Sequence, residues 1–452
     1  MEIILHTSGL HICAFVYLSL ISFSVHDCYN LADFGNIILY RIDIIYTYWM
    51  MKSILVVSHA MELGGAERAL LGLLEHMDYS TYQVDLFLLR HQGELLKYIP
   101  EQVNLLPENA SYSCLAVPIC NVLKKGKFNI AYHRYLGKKY AKKRVQELNC
   151  PPDNGIGLEY SHKYTVRCMP PINEKEYDVA ISFLTPHYFV RDKVRARKKI
   201  AWIHTDYSRV GIDSESEFEM WGAYDFIAAV SEGVGEQFVK LFPELKQKIV
   251  IIENMLPQKL IETESRKTAP EIFEKTAVNL LSVGRFSYAK NFDNVPDICR
   301  RVAGKGLNVK WYLIGYGGDE KLIKEKISEA HMENSVIILG KKENPYNYIK
   351  ACDYYIQPSR YEGKAVTVKE AQMLGKPVII TEYPTSNSQL TDGYDGVIVP
   401  QENEACAEAI CQIIQDKELT QNLSDHCLQN DYSNGQEIRK LYDLIEKQTC
   451  QN

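Results

Sequence analysis

Two glutamates, Glu362 and Glu370, stand with seven residues between them in the stretch Tyr354 to Ile380. Pro358 and Gly363 break the chain, Val366 to Leu374 has helical spacing, and Gly375 and Pro377 end that helix. The N–H groups of Gly363, Lys364, Ala365 and Val366 therefore fall at the positive end of a helix, where an anion is stabilised. Carboxylates on either side accept hydrogen bonds from hydroxyl groups. A diphosphate flanked by hydroxyl-bearing rings, as in a sugar nucleotide, suits this order. Taken alone, a solvated helix with two surface glutamates fits the same spacing. Earlier in the chain, Arg285 follows the apolar run Val278 to Val283, and Lys290 comes five residues later. Two fixed cations at a sheet edge are what a departing diphosphate requires, although surface cations have the same signature. Gly64 and Gly65 follow the run Lys52 to Ser58 and would let a phosphate approach the next helix. A tight turn needs the same glycines, and the absence of G-x-G-x-x-G disfavours a dinucleotide cofactor. His204 ends the apolar run Lys199 to His204, where a polar side chain faces either a ligand or a structural hydrogen-bond partner.

These residues must be held by strands that alternate with helices. Buried-strand patterns recur at Lys52–Ser58, Val84–Leu88, Val103–Leu106, Tyr177–Phe183, Lys199–His204, Tyr224–Val230 and Ile249–Ile252. The polar run Glu262–Ala269 reads as an interdomain linker. A second series then runs through Val278–Val283, Val309–Ile314, Val336–Leu339, Tyr354–Ile356 and Gly396–Val399. The alternation predicts an α/β protein of two parallel-sheet, Rossmann-like domains, over residues 51–262 and 276–430. Residues 431–452 read as a terminal helix that packs back on the first domain.

A chain of 452 residues with 46% hydrophobic and 24% charged residues is long enough for two cores. A net charge of −6 argues against a general nucleic-acid binder, and the 12 cysteines lack metal-site or disulfide spacing, which suits a reducing cytoplasm. Lys124 to Arg144 contains nine Lys or Arg residues and no acid, interleaved with Phe128, Tyr132, Tyr135 and Tyr140. Such a helix fits contact with an anionic membrane surface, and a solvated basic face fits it equally. The cluster Arg191 to Lys199 would extend that patch if the two share a face. Residues 1–50 carry one basic residue, Arg41, and an apolar run, Ile12 to Phe23, too short to span a bilayer. The expectation is that the fold begins near Met51 and that residues 1–50 are an extension; a membrane-seeking anchor is the competing reading.

The ordered set is more specific than any member: G-G-A-E-R after the first strand, His204 after a later one, G-R…K, then E-G-x6-E-A-x3-G-x-P from Glu362. It resembles the retaining glycosyltransferases of family 4, with the GT-B fold, over roughly residues 52 to 430. The wording around Glu362 is most similar to enzymes of bacterial surface and capsular polysaccharide assembly. The resemblance implies transfer from a UDP- or GDP-sugar co-substrate to a glycan or lipid-linked acceptor, with no metal and no other cofactor. It implies that Glu362, His204, Arg285 and Lys290 form the catalytic set. Gly64, Gly65 and residues 363 to 366 would hold the diphosphate and sugar, Glu370 the ribose hydroxyls, and the loop Gly340 to Asn344 the base. Lys364 replaces the family's usual apolar residue and would add charge near the phosphates or alter donor choice. The implied location is cytoplasmic, with peripheral contact at the inner membrane face through Lys124 to Arg144. A silent sugar-nucleotide-binding protein and a sugar-nucleotide epimerase are the alternatives.

Overall fold

The computed structural model describes residues 51–150, 154–207, 210–268 and 272–447; the expected extension over residues 1–50 lies outside them. Seven strands build the first lobe: β1 (Lys52–Ser58), β2 (Tyr82–Leu88), β3 (Asn104–Leu105), β4 (Glu176–Ser182), β5 (Arg195–Ile203), β6 (Phe226–Ala229) and β7 (Ile249–Ile251). They lie parallel in the order β3-β2-β1-β4-β5-β6-β7. Six build the second: β8 (Val278–Val283), β9 (Val309–Ile314), β10 (Val336–Gly340), β11 (Tyr354–Gln357), β12 (Val378–Thr381) and β13 (Val397–Val399), parallel in the order β10-β9-β8-β11-β12-β13. Ile54 to Val57 are buried on both faces because helices cover the sheet above and below. Each sheet reverses its winding once, between β1 and β4 and between β8 and β11. Loops leaving those strand ends diverge, and the crevice between them is where α/β sheets take ligands.

The chain passes from the first lobe to the second between Met255 and Leu256, which belong to different cores. It returns near Ser433, whose carbonyl accepts a 2.8 Å hydrogen bond from the Leu256 N–H. The expected linker at Glu262–Ala269 is instead a helix over Gln258–Ser265 as far as the described residues extend. Ile261 is fully buried among second-lobe residues such as Ile349, so apolar contact orders a segment whose composition is polar. The last described helix, Ile438–Glu446, buries Ile438, Leu441, Leu444 and Ile445 in the first-lobe core. Its C-terminal carbonyls meet the buried ammonium of Lys198, which donates to Leu444 O at 3.1 Å, to Ile445 O at 2.7 Å and to Lys447 O. A cation at that helix end satisfies orphan carbonyls and complements the dipole. Lys198 is thus consumed by packing, while Arg195 and Arg197 of the same cluster stay exposed and pair with Glu174 and Asp178.

The basic stretch folds mainly as the helix Phe128–Leu148. Ile130, Ala131, Gly137 and Ala141 are buried. Phe128, Tyr132 and Tyr135, at helical spacings of four and three, are exposed by 68%, 58% and 57%. Arg134 turns inward to the carbonyls of Cys114 and Val117, and Arg144 pairs with Asp213 at 2.8 Å. Among the described residues, no helix is long and apolar enough to cross a membrane.

Candidate active site

A cavity of about 450 Å³ opens where the C-terminal edges of the two sheets face each other. The first lobe contributes Gly64 and Gly65 from the turn after β1, and His204 and Asp206 from the loop after β5. The second contributes Arg285 and Lys290 after β8, and Glu362 to Val366 after β11. Residues almost three hundred positions apart in sequence thus share one wall-to-wall space, because each follows a strand adjoining or near a switch point.

Glu362 is rigidly placed. Its Oε1 accepts from Lys290 Nζ at 2.5 Å, from Ser359 Oγ at 2.5 Å and from Gln357 Nε2 at 3.3 Å. The pair Lys290–Glu362 is largely screened from water yet open to the cavity it lines. Arg285 is exposed on the same rim. Across the gap, burial raises the pKa of Glu67, and the Arg285 charge partly offsets that rise.

At Gly363 the lobes come close together. A Cβ there would stand 2.8 Å from the His204 carbonyl oxygen, a distance no real side chain tolerates, so the position requires glycine. Ser231 Oγ donates to the Gly363 carbonyl at 3.5 Å. His204 packs its ring on Phe183, with centroids 4.6 Å apart. Burial pulls its pKa down to about 4, so the imidazole is neutral at neutral pH, and its Nε2 has no hydrogen-bond partner.

Several sequence expectations are corrected. The Ala365 N–H is not available to an anion, because it donates to Gln389 Oε1 at 2.7 Å. Lys364 does not add charge near a phosphate: its ammonium binds Glu253 at 2.8 Å and the Ser388 carbonyl at 2.6 Å. Glu370 does not line the cavity. It is fully buried, with Oε2 accepting from Arg68 Nη1 at 2.9 Å and Oε1 from the Tyr346 hydroxyl at 3.1 Å. Gly340 and Asn344 also lie off the cavity surface. Asn344 instead donates to Glu264 O at 2.9 Å and accepts from the Tyr346 N–H at 3.0 Å. Their neighbours Lys341 and Lys342 line the space. Lys341 reaches Glu94 of the first lobe at 2.5 Å, and Lys97 pairs with Glu343 beside it.

Sequence reasoning missed Arg68 and Asp206 as lining residues, whereas Lys341 and Lys342 belong to the expected loop Gly340 to Asn344. Arg68 left a signal. It stands beside Ala69, Leu70 and Leu71 in a helix that buries this face, where a charge without a partner is costly.

Comparison with known proteins agrees with this architecture. Residues 264–427 match the model of the family described as glycosyl transferases group 1. The chain is 29% identical over 179 residues to the amylovoran biosynthesis glycosyltransferase AmsD of Erwinia amylovora, covering 39% of this chain and 50% of the relative. It is 27% identical over 181 residues to a Campylobacter jejuni enzyme, N-acetylgalactosamine-N,N'-diacetylbacillosaminyl-diphospho-undecaprenol 4-alpha-N-acetylgalactosaminyltransferase, covering 40% of this chain and 48% of the relative. Each alignment thus spans about half the length of the relative. Among solved structures, HepE of Anabaena in complex with UDP and glucose superposes with a TM-score of 0.62 at 16% identity, covering 87% of this chain and all of that one. The described chain therefore has the two-lobed GT-B architecture, and its second lobe matches glycosyl transferases group 1 in sequence.

Proposed function

We propose that the protein is a retaining glycosyltransferase of family 4 that moves a hexose-type sugar from a UDP- or GDP-sugar to a glycan or lipid-linked acceptor in surface polysaccharide assembly. The observation that carries this reading is the Lys290–Glu362 pair beside Arg285, facing Gly64, Gly65 and His204 across one cavity. In this reading the sugar–phosphate bond loosens first, and negative charge builds on the departing diphosphate. Arg285, Lys290 and the N-terminus of the helix Val366–Met373 stabilise that charge. Glu362 is held by three donors and accepts from sugar hydroxyls. The neutral His204 ring bounds the sugar near its reacting carbon. The acceptor hydroxyl attacks from the leaving-group face and passes its proton to a phosphate oxygen. The UDP and glucose of the HepE complex support the donor class, and the diphospho-undecaprenol in the Campylobacter enzyme's name supports a lipid-linked acceptor. The basic aromatic helix Phe128–Leu148 would bring the protein to the anionic inner face of the membrane where such acceptors sit.

The test is turnover of a panel of UDP- and GDP-sugars with a lipid-linked acceptor fraction, with the product anomer assigned by NMR. One donor should be consumed with retention of configuration. Lys290→Ala and Arg285→Ala should each lower kcat/KM by about 10²–10³, or about 2–4 kcal/mol of transition-state stabilisation. No consumption of any donor, or unchanged turnover in both variants, removes the reading.

A further inference from the structure

Arg68 is a first-lobe residue whose ion pair, among the described residues, is with Glu370 of the second lobe. It is 6% exposed and lines the cavity, and its Nη1 donates to Glu370 Oε2 at 2.9 Å. Its Cζ lies 5.5 Å from the centroid of the Tyr346 ring, and the Tyr346 hydroxyl binds the other Glu370 oxygen at 3.1 Å. Burial opposes charge on the guanidinium, but Glu370, with Tyr346, Tyr355 and Glu67 adding in the same sense, raises the pKa of Arg68 overall. The side chain is therefore a fixed cation in a protein wall. Its Nε is buried and has no hydrogen-bond partner. A guanidinium has donors only, and a buried donor without an acceptor is costly. A buried polar atom without a partner in a native fold calls for an explanation, and a bound ligand at this wall is one. The neighbours in that wall are Gly65, where an added Cβ would stand 3.7 Å from Val366, and the helix end after Glu362.

From this geometry, and resting on the nucleotide-sugar reading above, we infer that Arg68 contacts an acceptor oxygen of the bound nucleotide, a phosphate or ribose oxygen, and that Glu370 and Tyr346 act on the nucleotide by positioning Arg68. Glu370 then works as the anchor of a cation delivered by the opposite lobe. Bringing the lobes together assembles the nucleotide site, so nucleotide binding and closure are one event.

Equilibrium binding of UDP, GDP, their 2′-deoxy forms and the parent nucleosides to the full chain tests this. Arg68→Met should weaken the diphosphate that the wild type binds by about tenfold or more, with Arg68→Lys in between. Arg68→Met/Glu370→Met, which removes both buried charges and so protects the fold, should bind no more weakly than Arg68→Met alone. Loss confined to diphosphates assigns Arg68 to a phosphate oxygen. A narrowed ratio of ribo to 2′-deoxy affinity assigns it to the ribose. Wild-type affinity in a folded Arg68→Met protein overturns the inference, as does a double variant whose loss is the product of the single losses. A wild type that binds neither diphosphate overturns it together with the reading beneath it.

Discussion

At the scale of single residues, the first lobe is built around imidazoles that resist protonation. Burial holds His59 and His204 at about 4, and holds His162 and His187 well below their ordinary value. In the unfolded chain each would take up a proton near pH 6.5. Between pH 6.5 and about 4 the unfolded state therefore binds more protons, and stability falls as the solution is acidified. Glu217 works in the opposite sense. Burial raises it to about 7, so it keeps a proton in the fold that the unfolded chain releases, and it favours the fold as pH falls from 7 towards 4.5. Burial raises Glu67, Glu159 and Glu370 as well, so four raised carboxyls oppose the four histidines as the solution is acidified. The histidine share is read by difference: urea midpoints of the wild type and of a His187→Gln variant should converge as the pH falls from 6.5 to 4.5, and parallel curves would contradict it. The cavity-lining residues legible in the sequence were those whose position follows from local pattern: Gly64, Gly65, Arg285, Lys290 and Glu362 each stand just after an apolar run. The partnership of Arg68 with Glu370 was not legible, because it joins positions 302 apart and only the packed fold brings them together. For the same reason Lys364 and Ala365, read as ligand donors from local spacing, proved to have protein partners.

At the scale of elements, the positions of strands along the chain were read well because β-branched runs and their terminal glycines are local signals. The Gln258–Ser265 helix was misread because its order derives from Ile261 contacting the other lobe, which no window of sequence shows. The helix Phe128–Leu148 has the opposite character: its packing face is spent and its outer face is not. Phe128, Tyr132 and Tyr135 stand in water beside Lys138, Lys139 and Lys142, all exposed. Aromatic side chains that enter the headgroup region, with lysines around them, add apolar burial to about 1 kcal/mol of attraction per cation at an anionic surface. Co-sedimentation with vesicles containing anionic lipid should therefore capture the protein at low salt. Replacing Phe128, Tyr132 and Tyr135 together with Ser should reduce capture at least severalfold while leaving thermal stability unchanged. Equal capture by neutral vesicles, or by the triple variant, would reassign the helix to a plain solvated surface.

At the scale of the whole molecule, four ion pairs among the described residues cross between the lobes, and they differ in kind. Arg68–Glu370 is buried, and Lys364–Glu253 is mostly so. Lys341–Glu94 and Lys97–Glu343 are open to solvent. Exposed pairs contribute roughly 0–1 kcal/mol each and are screened within about 10 Å at 0.1 M salt. Raising salt from about 0.05 to about 0.5 M should thus loosen the rim first and leave the buried pair intact. Glu94→Gln/Glu343→Gln should mimic high salt at low salt, with a larger radius of gyration by solution scattering. If neither salt nor the double variant changes that radius, the rim pairs do not govern closure.

The two passages of the chain between the lobes, at Leu256 and Ser433, lie side by side and are bonded to each other. A lobe hung from a single tether could swivel in any direction. Two tethers fastened together leave it one easy bend, about the line on which they sit. Every opening and closing stroke then retraces the same arc, and the far rims meet in the same register each time. The last helix, gripped by Lys198, is what keeps the second tether in place, so the final turns of the chain set the path along which its two halves move.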